Sequence, residues 1–290
     1  MLKKIFIIIP IVFLVQVSAY GRDRLNIVTS IAPLAYFIEN TGGDRVEVTT
    51  LIPPGGNPHT YEPAPRQMNI LSRADLFVKV GSGIEFELIW MERIEALNKD
   101  MPVCDVSRGI TLINTSDEEG LEHGHSHRGV KDPHIWLSPV NAIIIAENIR
   151  NSLSEIDPKG SDYYYKNARS LIEKLKVLKQ NITSALGDIS KRQFFIFHPA
   201  WTYFARDFDL EQIPVELSGK EPTPERLGKL IKKAINDDIN VIFSSPQFSK
   251  KSADVIAGEI KGKVVFIDPM SADYINNLEH TAQLFRENLK

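Results

Sequence analysis

The stretch Lys131-Asp132-Pro133-His134-Ile135-Trp136-Leu137-Ser138-Pro139 stands near the middle of the chain and decides how the rest is divided. It places a histidine between two prolines, just ahead of a long amphipathic run. Ser138 followed by Pro139 predicts a helix start, because a hydroxyl can cap the first free N–H groups and the proline ring presets the first helical φ. His134 should therefore lie in a stiff loop that ends one lobe and begins the helices leading to the next.

Two helices are predicted after this loop. Apolar residues recur with a helical period from 139 to 156, and Asp157-Pro158 repeats the arrangement of a cap followed by proline. The second helix should run to about Leu186 and would be about 42 Å long at 1.5 Å per residue. Its buried face is marked by Leu171, Leu175 and Leu178. Since one lobe does not need so long a helix, we interpret it as a spine that links two lobes.

Strands alternate with helices on both sides of this spine. Before it, strands are predicted at 25–31, 46–52, 76–80 and 103–106; after it, at 194–197, 211–217, 241–244 and 264–267. Helices are predicted at 33–40, 65–73, 224–236 and 249–259. Short apolar strands that alternate with helices favour parallel sheets covered on both faces.

The predicted fold class is therefore α/β. Two lobes should each hold a parallel β-sheet flanked by helices, and a long rigid linking helix should join them. The expected boundaries are 20–138 for the N-terminal lobe, 139–187 for the linking helices and 188–290 for the C-terminal lobe.

Residues 1–19 differ from the rest of the chain. Lys3 and Lys4 precede an apolar run from Ile5 to Val15, and Val17-Ser18-Ala19 offers a small-residue cleavage site. This is the pattern of a secretory signal peptide, and the run is shorter than the roughly 20 residues that span a bilayer. We expect cleavage near Ala19 and a periplasmic protein. No cysteine lies near the cleavage site, so a lipid anchor is not indicated.

Charge and cysteine content exclude several classes of protein. Loss of Lys3 and Lys4 takes the formal net charge from −3 to −5 and leaves no basic stretch, which argues against a nucleic-acid partner. Cys104 is the only cysteine. It excludes an internal disulfide and a zinc site built from several cysteines.

Three histidines and one aspartate recur beside prolines: His59, His134, His198 and Asp268. All but His134 are expected just past the carboxyl ends of strands, where open α/β sheets bind ligands. Each lobe supplies two of the four, so they should meet in the cleft between lobes. Three imidazoles and one carboxylate suit tetrahedral Zn²⁺. Mn²⁺ prefers more oxygen but is not excluded by these ligands.

Ordinary structural alternatives exist for these residues. A histidine after an apolar strand, such as His198, is often a hydrogen-bonded core or edge residue, and Asp268-Pro269 equally begins a plain turn. The four residues are spaced far more widely than any compact metal motif, so spacing alone is a weak signal. The segment 123–127 carries three further histidines in a predicted surface loop, which is either simply solvated or captures metal.

Three longer segments resemble one family. Asn57-Pro58-His59-Thr60-Tyr61-Glu62-Pro63, Asp132-Pro133-His134-Ile135-Trp136-Leu137 and His198-Pro199-Ala200-Trp201-Thr202-Tyr203-Phe204 are similar to the ligand regions of the zinc- and manganese-binding solute-binding proteins of bacterial ABC transporters. Glu221-Pro222-Thr223-Pro224, Pro246-Gln247-Phe248 and Asp268-Pro269-Met270 extend the resemblance over essentially all of the chain after residue 19.

The resemblance implies that His59, His134, His198 and Asp268 hold one metal ion in the interlobe cleft. A histidine at the third ligand position is typical of zinc binders in this family, whereas glutamate there is typical of manganese binders, so His198 favours zinc. Many zinc binders of the family also carry a disulfide in the second lobe. This chain, with Cys104 alone, departs from that pattern.

We therefore expect a monomeric receptor that captures Zn²⁺ and delivers it to the membrane permease of a metal ABC transporter, with Mn²⁺ as the alternative cargo. Four protein ligands would leave no position for the water that a hydrolytic zinc site needs, so no enzyme is expected. Because the imidazoles must be deprotonated to bind metal, affinity should fall as the pH drops through about 6.5.

Two other functions remain open at this stage. A zinc metallohydrolase would use three ligands and a water molecule, with Glu62 as the nearby candidate for a general base. A metal-dependent surface adhesin is disfavoured because no lipid anchor is indicated.

Overall fold

Two four-stranded parallel sheets form the framework of the chain, whose computed structural model describes residues 24–115, 131–216, 222–248 and 250–290. The first sheet has the order β2-β1-β3-β4, with strands Leu25–Thr29 (β1), Val46–Thr50 (β2), Leu76–Lys79 (β3) and Val103–Asp105 (β4). The second has the order β6-β5-β7-β8, with strands Gln193–Ile196 (β5), Glu211–Pro214 (β6), Val241–Ser244 (β7) and Lys263–Phe266 (β8). The two sheets share one strand order, and the predicted two-lobed α/β fold is confirmed.

Helices cover these sheets and connect the lobes. They are Ala32–Gly42 (α1), Pro65–Leu71 (α2), Glu85–Leu97 (α3), Pro139–Ile156 (α4), Ser161–Ala185 (α5), Thr202–Asp207 (α6), Pro224–Asn236 (α7), Lys250–Glu259 (α8) and Tyr274–Asn288 (α9). Helices α3, α6 and α9 are absent from the sequence prediction. Exposed Leu88 and Ile89 blur the apolar face of α3, whereas α9 does bury a regular face that includes Leu278, Ala282 and Phe285.

The linking helices begin where the sequence predicts, at Pro139. The Ser138 hydroxyl accepts a hydrogen bond of 3.0 Å from the backbone N–H of Asn141, which is the expected cap. The second helix is shorter than predicted, because a 3₁₀ turn over Pro158–Gly160 precedes it. Its 25 residues extend about 37 Å. Leu171, Leu175 and Leu178 are buried on it, as predicted.

One hydrophobic core continues from the first lobe into the second. It includes residues of the first sheet and of α4 and α5, and it reaches Phe194, Phe243 and Phe285 on the inner side of the second sheet. The ring centroids of Phe194 and Phe243 each lie 4.7 Å from that of Phe285 in α9. A separate cluster with Phe195 and Ile242 lies on the other face of this sheet. Each large buried side chain stabilises the fold by about 1.5–3 kcal/mol, so the shared core resists separation of the lobes.

Buried hydrogen bonds tie the loop around His134 to the second lobe. Trp136 Nε1 donates to the carbonyl oxygen of Pro269 at 2.7 Å, and the Tyr274 hydroxyl donates to the carbonyl oxygen of Trp136 at 2.6 Å. The Tyr203 hydroxyl donates to the carbonyl oxygen of Asp132 at 2.9 Å. Trp136 is therefore both a buried packing residue and a cross-lobe hydrogen-bond donor.

Two predicted segments lie outside the described residues. They are the signal peptide at 1–19 and the histidine-containing segment 123–127. No helix in the described ranges combines the length and the apolar character needed to cross a membrane.

Tyr274→Phe tests the cross-lobe hydrogen bonds. It removes one buried hydroxyl and leaves the carbonyl of Trp136 without its donor, so the free energy of unfolding should fall by about 1–3 kcal/mol. Urea denaturation measures the change. Tyr165→Phe is the matched control, because that ring is 57% exposed, and it should change the free energy little. Equal effects of the two substitutions would contradict the role of the Tyr274 hydroxyl.

Cys104 gives a prediction for alkaline pH. Burial raises the pKa of its thiol from 9.0 to about 11. A raised pKa in the folded state means that stability is fully present below pH 9 and is lost as the pH rises through 11, by roughly 2–3 kcal/mol. The difference in unfolding free energy between the wild type and Cys104→Ala should therefore shrink from pH 8.5 to pH 11. A constant difference would show that the thiol does not titrate in this way.

Candidate metal centre

His59 is held in the loop that follows β2. Its backbone N–H donates to Asn57 Oδ1 at 2.9 Å, which fixes a tight turn after the prolines of this loop. Its Nδ1 lies 2.9 Å from Oε2 of Glu85, the first residue of α3. Burial by itself would raise the pKa of Glu85, but the pairing with His59 outweighs it and the pKa is lowered. The His59 side chain is 20% exposed, so this side of the site is open to solvent.

His134 is buried in the loop ahead of α4, and the carboxylate of Asp132 determines its orientation. Asp132 Oδ1 accepts from the backbone N–H of His134 at 2.8 Å and lies 2.9 Å from its Nδ1. Pro133, between the two, fixes its own φ and restricts the residue before it to extended backbone. The ring centroid of His134 lies 5.3 Å from that of Trp136, which packs beside it.

His198 lies two residues beyond β5, at the carboxyl end of the second sheet. Its Nδ1 makes a short hydrogen bond to Oε1 of Glu216, which follows the neighbouring strand β6. Both side chains are buried. Burial lowers the pKa of His198 below its ordinary value, and the hydrogen bond that its ring donates to Glu216 only partly opposes this. The neutral imidazole, which is the form that binds metal, is therefore favoured here.

The three histidines converge between the lobes and are called the histidine cluster below. His198 Nε2 lies 3.4 Å from His59 Nε2 and 3.3 Å from His134 Nε2. The His198 ring meets each of the other two edge to face, at an interplanar angle of 77°. Two imidazole nitrogens on one tetrahedral zinc ion, at 2.0–2.1 Å from it, lie about 3.4 Å apart. The two measured separations match that spacing.

Each ring of the histidine cluster presents Nδ1 to a carboxylate and Nε2 to the other rings. A carboxylate accepts hydrogen bonds and cannot donate them, so a neutral ring carries its proton on Nδ1 and keeps a lone pair on Nε2. The lone pairs of the cluster then face one another, an arrangement that a proton or a cation between them stabilises. Carboxylate–histidine pairs of this kind are the usual second layer around a metal.

Glu85, Asp132 and Glu216 were not predicted from the sequence as partners of the ligands. Asp132 stands two residues before His134, and that local Asp-X-His spacing was a signal that could have been used. Glu85 and Glu216 are brought to their histidines only by tertiary structure, since α3 was not predicted and Glu216 reaches His198 from a neighbouring strand.

Asp268 lies two residues beyond β8, as predicted, but among the described residues its carboxylate forms no hydrogen bond or ion pair with the histidine cluster. Its Oδ1 accepts from Gln247 Nε2 at 2.8 Å and from the backbone N–H of Met270 at 2.9 Å. It is connected to the cluster through Gln247, because the next residue, Phe248, stacks on His198 with ring centroids 4.4 Å apart. In the described part of the chain, no three or more His, Cys, Asp or Glu side chains stand as a ready-made metal shell.

Comparisons with known proteins point to one family. The family model described as the periplasmic component A of a zinc-uptake complex matches residues 27–288. The high-affinity zinc uptake system protein ZnuA of Bacillus subtilis is 33% identical over 257 residues, which cover 86% of this chain and 79% of that protein. A crystal structure of a ZnuA superposes with a TM-score of 0.86 at 39% identity, over 92% of this chain and 100% of the other.

Other relatives are longer than this chain. The zinc-binding lipoprotein AdcA of Streptococcus pneumoniae is 31% identical over 256 residues, which cover 86% of this chain but 50% of AdcA. The chain thus spans about half the length of the AdcA proteins that it matches. Because the family model covers nearly all of the described residues, the chain belongs to the family of periplasmic zinc-uptake complex components.

Proposed function

We propose that this chain is an extracytoplasmic receptor that captures Zn²⁺ through His59, His134, His198 and Asp268 and delivers it to the membrane permease of an ABC transporter. One observation carries the proposal. In the histidine cluster, His198 Nε2 lies 3.3 Å from His134 Nε2 and 3.4 Å from His59 Nε2, and every ring is paired through Nδ1 with a carboxylate.

The chemistry of this donor set favours zinc. Three neutral nitrogens and one carboxylate oxygen match the borderline-soft, four-coordinate preference of Zn²⁺, whereas Mn²⁺ prefers a larger shell that is rich in oxygen. The shell is incomplete without the ion. A bound cation would draw the Asp268 carboxylate and the imidazoles together, and its charge would remove the repulsion between the facing lone pairs.

A receptor is better supported than an enzyme. Four protein ligands close the zinc shell and leave no position for a reactive water. Glu62, the general base considered from the sequence, is exposed and makes no hydrogen bond or ion pair among the described residues. A metallohydrolase therefore has no observation in its favour here.

The family description and the two-lobed fold support the remaining parts of the proposal. Its members are named as periplasmic components of a zinc-uptake complex, which implies a permease as partner and a location outside the cytoplasm. We propose 20–138 and 188–290 as the two lobes and 139–187 as their link. We further propose that the chain is a monomer, and Mn²⁺ remains the alternative cargo.

His198→Ala tests the capture site. The substitution removes the central nitrogen of the histidine cluster and leaves the buried Glu216 without its partner, so zinc affinity should fall by orders of magnitude. Competition with a chelator measures the affinity, and a zinc-induced rise in Tm reports binding independently. His280→Ala, an exposed histidine on α9, is the control and should bind zinc like the wild type. Unchanged affinity in His198→Ala would exclude this site.

Delivery needs a separate experiment in cells that lack the native receptor. The wild-type chain and His280→Ala should restore growth and zinc uptake when zinc is scarce, and His198→Ala should not. Restoration by His198→Ala would contradict delivery through this site.

Glu216→Gln tests the carboxylate partners. The amide keeps the shape of the side chain but removes the charge that orients and polarises the His198 ring, so zinc affinity should fall about 10- to 100-fold. Glu211→Gln is the control, because Glu211 is exposed at the start of β6, away from Glu216 beyond its other end, and its substitution should leave affinity unchanged. An equal loss in both variants would point to a general effect of charge.

A further inference from the structure

The carboxylate of Asp268 is restrained on one oxygen only. Oδ1 accepts hydrogen bonds from Gln247 Nε2 at 2.8 Å and from the Met270 N–H at 2.9 Å. Among the described residues, Oδ2 forms no hydrogen bond. The backbone is restrained as well, since the carbonyl oxygen of Asp268 accepts from Asn277 Nδ2 at 2.7 Å. Asp268 thus has one occupied and one free oxygen, on a loop that its neighbours hold in place.

Gln247 has an orientation that only Asp268 explains. Its Oε1 is buried and has no hydrogen-bond partner in the described part of the chain, although a buried unpaired acceptor costs about 1–3 kcal/mol. Turning the amide over would place Oε1 against Asp268 Oδ1, where two acceptors would repel each other. The contact with the carboxylate therefore determines which way the amide faces.

The position of Gln247 is also coupled to the histidine cluster. The ring of the adjacent Phe248 lies nearly parallel to the His198 imidazole, with centroids 4.4 Å apart and an interplanar angle of 24°. The same ring lies 6.3 Å from that of His59. Since the Phe248 ring packs on two of the three rings, the backbone of the adjacent Gln247 is held beside the site.

We propose that Gln247 restricts Asp268 to binding metal through Oδ2 alone and thereby makes the site selective for Zn²⁺ over Mn²⁺. This inference rests on the proposed function. With one carboxylate oxygen available, the donors number three nitrogens and one oxygen, which is the four-coordinate shell of zinc. Release of Oδ1 would allow a bidentate carboxylate and a larger, more oxygen-rich shell, which Mn²⁺ prefers. Gln247 is in this sense a positioning residue that acts through Asp268.

Gln247→Leu tests the inference, because it removes the amide donor and keeps a side chain of similar size beside Phe248. Gln193→Leu is the matched control: Gln193 Nε2 also donates to a carboxylate, that of Glu211 at 2.7 Å, but at the opposite end of the second sheet. Chelator competition on each purified protein gives the affinities for Zn²⁺ and Mn²⁺ separately. The ratio of the two affinities is the measure of selectivity.

We expect Gln247→Leu to lower the preference for Zn²⁺ over Mn²⁺ by about tenfold, in the range typical of changes beside a metal ligand. Gln193→Leu should leave the preference unchanged. X-ray absorption of the manganese-loaded variant should show more oxygen donors than the zinc-loaded wild type. Gln247→Ala gives a second measurement with a smaller side chain, and it should shift the ratio in the same direction.

Two outcomes overturn the inference in distinguishable ways. If the wild type prefers Zn²⁺ and both Gln247 variants keep the same ratio, Gln247 does not set selectivity, while the proposed zinc receptor stands. If the wild type binds neither metal tightly, the proposed function fails and this inference fails with it.

Discussion

The pairing of three imidazoles with three carboxylates is the constraint on which the site depends. Each pair holds a histidine by Nδ1 and turns Nε2 toward the gap between the lobes. If the rings are neutral, their Nε2 lone pairs face one another, because His198 Nε2 lies 3.3 Å from His134 Nε2 and 3.4 Å from His59 Nε2. The protein can maintain such an arrangement because the pairs with Asp132 and Glu216 are buried, whereas the pair with Glu85 lies nearest to solvent.

The way the two lobes are joined explains how the three rings keep their relative positions. His59 and His134 belong to the first lobe and His198 to the second, so any movement of one lobe against the other would change the Nε2 separations. The continuous core and the hydrogen bonds of Trp136, Tyr274 and Tyr203 oppose such movement. Adjustment around an ion is therefore easier in the loop that carries His59, which is partly open to solvent, than in the relative placement of the sheets.

Much of the architecture was predictable because it depends on local and periodic signals. Alternation of apolar strands with capped helices predicts two parallel sheets, and the cap at Ser138 determines the first residue of α4. Helix α5 begins later than predicted, because a 3₁₀ turn over Pro158–Gly160 precedes it. A proline after Asp157 is compatible with such a turn as well as with a direct helix start. Helix α3 was not predicted because exposed Leu88 and Ile89 disturb its amphipathic period. Without this helix, the position of Glu85 beside His59 could not be predicted either.

The sequence by itself determined the four candidate ligands, the two-lobed α/β class and the position of three ligands at the carboxyl ends of strands. Residue type indicates which side chains can bind a metal, and the spacing of apolar residues indicates the strands and helices. Only the tertiary structure decided that Glu85 and Glu216 hold the rings, that His198 is the central member of the histidine cluster, and that Gln247 occupies one oxygen of Asp268. These contacts join residues that are distant along the chain. Their distances follow from how helices and loops pack on the sheets, which no local pattern specifies.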